Sequence, residues 1–365
     1  MFPGSWKADE PFSEVPNIPL GEPLDLVVLA VKRNAMRCRL LTSGTAVTFR
    51  PIQGEVEGEI ATVLPTRVWQ YKRTTYISGQ VTGTRLDIPA LNMTPLALKK
   101  DGTWNPEEAD FLVPDDPFSK YYSPIIAKGP RPEYEMEQVI PGFDIDNADL
   151  DPIIQASEHW QSGEYEQAQK IMEEMLVADL RCLDAHAHLG NWELEGATSG
   201  RRLERARRHY EVGMRIAELS LGKDFNGLLP WGLLDNRPYL RCLHGYGLCV
   251  WKLGRAAEAR CIFKRILWLN PMDNQGVRFL LADIDCGKPW EDDETDANST
   301  DEPHLQYFDD DGSEINPDLI SKPSLCLSCR HDNDPEQEVL CNLNRMDHQD
   351  DQDFKCGAFD TQKNP

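Results

Sequence analysis

The sequence lacks any run approaching the roughly 18 apolar residues that a membrane-spanning helix needs. Its opening, MFPGSWKADEPFSEVPNIPL, has neither the basic start nor the continuous apolar stretch of a secretory signal. The expectation is a cytoplasmic chain that uses no membrane. The sequence also lacks a glycine-rich phosphate loop, a locally ordered Ser-His-Asp set and a paired-carboxylate motif that stands out from its acidic background, so it indicates no enzyme class. Positive charge is short: 38 Lys and Arg face 61 Asp and Glu, a net charge of -23. Phosphate is repelled at long range by such a chain, which works against the whole of it being a general nucleic-acid binder.

What is present is length and cysteine. The 365 residues, 40% of them apolar, exceed one domain of about 150 and fit two or three. Ten cysteines read as thiols or metal ligands before disulfides in a reducing compartment.

Charge is distributed unevenly. Residues 291–318 hold twelve acidic side chains and no Lys or Arg, which makes 291–323 an acidic linker whose like charges repel and whose few apolar residues cannot offset ordering entropy. Within it Leu305, Gln306, Tyr307 and Phe308 could dock locally, whereas Asp309, Asp310, Asp311 and Gly312 make a poor calcium loop, because Tyr307 falls where the first carboxylate ligand belongs. Residues 1–19 read as a disordered leader.

Residues 20–91 carry strand signals: β-branched and aromatic residues in short runs, broken by Gly and Pro. Residues 26–31 (LVVLAV) read as a buried strand, 36–41 and 46–49 as a pair, and 59–64, 68–71, 74–78 and 80–86 as further strands. Five to seven short strands suggest a small, strongly bent barrel of the SH3 or OB kind. This stretch is basic where the chain is acidic, with nine cations against six acids between Leu20 and Ala90. Trp69, Tyr71 and Tyr76 are interleaved with Arg67, Lys72 and Arg73, the mixture that stacks on bases and neutralises phosphates. The simpler reading, preferred at this level, is that the rings are half buried in a small barrel while the cations solvate its outside. Residues 92–148, rich in Pro, Asp and Glu, read as an ordered but irregular connector.

Between 149 and 290 the chain is periodic. In the 34 residues 240–273, Leu243, Tyr246, Gly247, Val250, Gly254, Ala259, Phe263, Ile266 and Pro271 fall at the spacings of a helical hairpin. The small residues let two helices approach, Gly254 starts the turn between them, and Pro271 ends the second. The same frame over 149–182 places Ala156, Gly163, Ala168, Met172 and Met175. A looser unit begins at Leu183 with extra residues near 195–201. Residues 221–237 are an insertion, and 274–286 supply a last helix that covers the apolar end of the stack.

This pattern resembles the tetratricopeptide repeat superfamily over about residues 149–286, in a chain similar to a bacterial repeat-protein family with a C-terminal four-cysteine module. The superfamily resemblance implies a concave groove, lined by the first helix of each hairpin, that holds an extended peptide or a partner helix. Carried over position by position, the groove residues are His188, Asn191, Glu195, Arg241, His244, Lys252 and Arg278. Unit one offers Ile153, Ile154 and Ser157 there and no cation, which departs from a full carboxylate clamp. His186 and His188 point about 200° apart on a helix and cannot share a metal. Cys182, Cys242, Cys249 and Cys261 read as small buried hydrophobes.

Residues 324–365 contain Cys326, Cys329, Cys341 and Cys356 in a segment too poor in apolar residues to build a core. Four thiolates on one metal would supply the missing folding free energy. Zinc leads, with the close pair Cys326 and Cys329 as a knuckle; the absence of a second close pair leaves a [4Fe-4S] cluster as the alternative, with disulfides third. A closed shell of four cysteines has no open position for substrate. The fold class expected is therefore a small N-terminal β-barrel, a helical repeat array and a metal-stabilised module. The function expected is a protein-interaction adaptor, with an RNA- or ribosome-associated factor second and an iron-sulfur or redox protein third.

Overall fold

The apolar run beginning at Leu26 is buried on both of its faces, and this decides how barrel and helices are joined. In the computed structural model, β1 (Leu24–Lys32) turns Leu26 and Val28 into a small core with Met36, Cys38, Phe49, Val63 and Ile77, while Val27 and Leu29 belong to a larger core shared with the helices. A strand covered on both sides shows no polar alternation. The structure describes residues 18–32, 34–52, 54–108, 117–143, 151–195 and 199–290, and, nearer the C-terminus, 307–308, 314–315, 322–331, 341–342, 345, 355–356 and 359–360. The chain forms two compact units, Met1–Glu291 and Asp292–Pro365.

The barrel continues with β2 (Ala35–Leu40), β3 (Ala46–Arg50), β4 (Ile60–Tyr71) and β5 (Thr74–Arg85). It closes in the order β1-β2-β3-β5-β4, with β4 returning to β1. Every pairing is antiparallel except β3 with β5. That connectivity is of the OB kind rather than the SH3 kind. The four short strands expected between 59 and 86 are two long ones, because the break at Pro65–Arg67 is a bulge, which bends a strand without ending it, and Gly79 stays paired opposite Pro65.

The expectation of an irregular segment at 92–148 is corrected. It contains β6 (Leu98–Trp104), α1 (Ser119–Ala127) and β7 (Arg131–Met136), with β6 and β7 paired antiparallel. Local pattern did not announce these elements because their order comes from the helices. The Arg131 side chain is fully buried, and its guanidinium donates to the carbonyls of Asn226, Gly227 and Trp268 at 2.8–3.1 Å while lying 4.0 Å from the Trp268 ring. Burial lowers its pKa to about 10.

Three helix pairs follow: α2 (Pro152–Gln161) with α3 (Tyr165–Ala178), α4 (Leu183–Glu195) with α5 (Gly200–Leu221), and α6 (Arg237–Lys252) with α7 (Ala256–Leu269). Helix α8 (Val277–Asp285) packs on α7. Ala156, Ala168 and Ala259 are wholly buried, and a methyl group added at Gly247 would stand 2.5 Å from the Phe263 ring. In the second unit, β8 (Tyr307–Phe308) pairs with β9 (Glu314–Ile315), and α9 (Ser324–Leu327) carries Cys326. The expected leader, residues 1–17 above all, and most of the acidic linker lie outside the described residues.

Candidate functional site

Strands β2, β3, β4 and β5 are neighbours in the barrel and contain no Asp or Glu. Their alternation sends Met36, Cys38, Val47, Phe49 and Ile77 inward, so the intervening residues form the outer face. Register places Arg37 opposite Thr48, Thr48 opposite Tyr76, and Tyr76 opposite Trp69, one row across four strands. Arg50 and Arg67 flank Ser78 in the next row. The Trp69 and Tyr76 rings stack 5.4 Å apart at 14°, with the Arg67 guanidinium 5.2 Å from Trp69 and that of Arg50 5.6 Å from Tyr76. At the hairpin tip Tyr71 is 61% exposed, with the Lys72 ammonium 5.6 Å from its ring. Lys72 itself takes a φ of 54°, the left-handed region usually given to Gly or Asn in such a turn.

The acids of this domain are placed elsewhere. Asp25 on β1 receives both ends of the Arg85 guanidinium at 2.7 and 3.1 Å, and Arg85 together with Thr62 holds its carboxyl below the usual range. Glu55, Glu57 and Glu59, in the turn before β4, are buried against the helices. Arg208 of α5 pairs with both Glu59 oxygens and donates to the Gly54 carbonyl at 2.7 Å. Glu57 accepts from Val31 N–H at 2.8 Å, and burial pushes its carboxyl up to about 6. Nearby Glu173 of α3 is pushed to about 7, by burial first and the Glu57 charge second. Arg37, Arg50, Arg67, Lys72 and Arg73 consequently have no ion pair among the described residues.

The expected groove residues are engaged within the chain. Arg241 pairs with the buried Asp184 at 3.0 Å, and Asp184 also accepts from Gln138 of the connector. Arg278 pairs with Asp273 at 3.3 Å and lies 4.5 Å from the Phe279 ring. Asn191 accepts from the Tyr210 hydroxyl at 2.6 Å, and Glu195 from the Trp160 indole at 3.2 Å. His188 is half-buried beside Trp192, and burial lowers its pKa; His244 leans on Phe263 and is lowered to about 4 for the same reason. The Lys252 ammonium lies 5.9 Å from the Trp290 ring. These seven positions are therefore not one row of open side chains. Part of the helical face is covered by the connector, whose extended backbone is read by Asn236: its amide oxygen accepts from Met136 N–H at 2.8 Å and its amide nitrogen donates to the Tyr134 carbonyl at 2.9 Å.

In the second unit Cys329 is buried, and Cys326, Cys341 and Cys356 are half-buried. Among the described residues no group of three or more His, Cys, Asp or Glu stands close enough together to hold a metal ion. Nor is any helix of the described residues long and apolar enough to cross a membrane.

Sequence reasoning picked out Arg67, Lys72 and Arg73 but passed over Arg37 and Arg50, which the register brings to the same face. The signal that could have found them is the complete lack of acids between Ala35 and Arg50 and between Ile60 and Arg85. No family model and no curated protein matches the sequence.

Proposed function

We propose that the protein binds nucleic acid through the outer face of its barrel, with Arg37, Arg50, Arg67, Lys72 and Arg73 taking phosphates. The observation that carries this reading is the segregation of charge: four adjacent strands without a single acid, and five cations with no ion pair among the described residues. The net charge of -23 does not oppose it, since at physiological salt a charge is felt over only about 8 Å, and in this domain Asp25 is paired with Arg85 while Glu55, Glu57 and Glu59 are buried. The fold itself decides nothing, because one barrel hosts many functions.

The test uses the full chain and a fluorescent single-stranded oligonucleotide. Five phosphate contacts predict a log-log salt slope of about -3.5 for a single strand. Changing Arg37, Arg50 and Arg67 together to Gln should bring the slope toward -1.4, the value about two remaining contacts would give. No binding at about 50 mM salt refutes the reading. A protein partner on the helices is the second reading, favoured by the way Asn236 reads the extended backbone at residues 134–136.

The four cysteines are proposed from the sequence to hold one structural metal, zinc or alternatively a [4Fe-4S] cluster, on the strength of their donor chemistry and the poverty of apolar residues around them; the described residues do not bring three of them together, so metal content and not geometry decides the assignment. Elemental analysis and an absorption spectrum of dialysed protein should find one zinc per chain and no visible bands. Equal metal content after Cys326, Cys329, Cys341 and Cys356 are all changed to Ser would remove the assignment.

A further inference from the structure

Resting on the nucleic-acid reading of the barrel, we infer that its ligand is single-stranded, because the face presents aromatic rings to unpaired bases as well as cations to phosphates. The rings are on the outside through a specific device. Along β4, Ala61, Val63 and Pro65 are buried, and unbroken alternation would carry Arg67 and Trp69 inward after them. The bulge between Pro65 and Arg67 inserts one extra residue, after which Val68 packs toward the barrel core and Arg67 and Trp69 face out. Gly79 makes the bulge possible: a methyl group there would lie 2.1 Å from the Leu64 carbonyl oxygen, so no other residue fits this approach. A large aromatic turned out of a core by a bulge is not explained by packing the barrel.

The stack that results runs Arg67, Trp69, Tyr76, Arg50, with a guanidinium near each end of the ring pair. Neither guanidinium is tied to a carboxylate among the described residues, so each can leave its ring for a phosphate while a base takes the vacated ring face. Tyr71, on the same side of β4 two residues beyond Trp69, continues the row to the hairpin tip at 61% exposure. A duplex keeps its base faces stacked inside, so it can use the cations but not the rings. The competing explanation is a cross-strand pair that only braces the hairpin.

Anisotropy titrations of the full chain with a labelled 12-nucleotide oligothymidylate and with a 12-base-pair duplex decide between them. At low salt the single strand should bind about tenfold or more tighter than the duplex. Tyr71→Ala should weaken the single strand roughly 5- to 150-fold, the effect of losing one stacked base, while leaving the salt slope, the duplex affinity and the melting temperature unchanged. Trp69→Ala should do the same; Tyr71→Ala stands as the control should Trp69→Ala loosen the hairpin. Equal affinity for both probes, with Tyr71→Ala without effect, overturns the single-strand inference and leaves the phosphate reading in place. Failure of both probes to bind overturns the two together.

Discussion

The inner face of the helices and the outer face of the barrel carry the same kinds of side chain, arginines beside aromatic rings, and put them to different use. On the helices, Arg241 and Arg278 are matched to Asp184 and Asp273, and Arg131 enters from the connector to close three carbonyls. On the barrel, Arg37, Arg50 and Arg67 meet rings or solvent and no carboxylate among the described residues. The first arrangement holds the molecule together; the second leaves charge uncompensated at its surface. Residue type does not separate the two cases. The location of the nearest acid does.

The sharpest way to break this comparison is at Arg131. Arg131→Met should cost about 3 to 5 kcal/mol of stability in chemical denaturation, because three buried carbonyls lose their donors at once. A loss under 1 kcal/mol would mean that the connector sits loosely on the helices and that this face is as available as the barrel's. The next effect is smaller and depends on pH. Glu173 lies at the seam between the two regions, and its folded pKa, about 7, stands above its ordinary value of 4.5. Ionisation therefore costs the folded state stability above pH 7, and that cost disappears as pH falls toward 4.5. Glu173→Gln should raise the melting temperature at pH 8 and leave it nearly unchanged at pH 4.5; an equal shift at both would show that the carboxyl is not perturbed. The smallest expected effect lies on the barrel. Arg37→Gln, Arg50→Gln and Arg67→Gln should each change stability by no more than about 0.5 kcal/mol, as exposed side chains outside any ion pair do. A larger loss would make these arginines structural, like those on the helices.

Much of the fold is legible in the chain because it rests on local periodicity. The doublets of buried alanine and close-packed glycine mark the helix pairs, and the continuous run at residues 26–31 marks a strand covered on both sides. The bulges were not legible, since Pro65 and Gly79 are the residues that also end strands; only pairing distinguishes the two outcomes. The connector was opaque for another reason. Its strand β7 is completed by Leu228, whose N–H donates to the Pro132 carbonyl and whose carbonyl accepts from Tyr134, a pairing between residues about 95 apart in the chain. At the candidate site, three of the cations could be seen from their aromatic neighbours in sequence. Arg37 and Arg50 could not, because strand register rather than sequence brings them to the same sheet face.

The clasp of Arg131 also orders events in time. Its last acceptor, the Trp268 carbonyl, comes 137 residues later in the chain. During synthesis at roughly 5 to 20 residues per second, the barrel strands, whose partners all lie before residue 86, have every pairing they need well before the connector has any of its distant ones. The connector must wait, with Tyr134 and Met136 unburied, until the sixth and seventh helices have left the ribosome. The nascent chain therefore passes through a window in which the acid-free barrel face is already built while the middle of the protein is still open to proteases and chaperones.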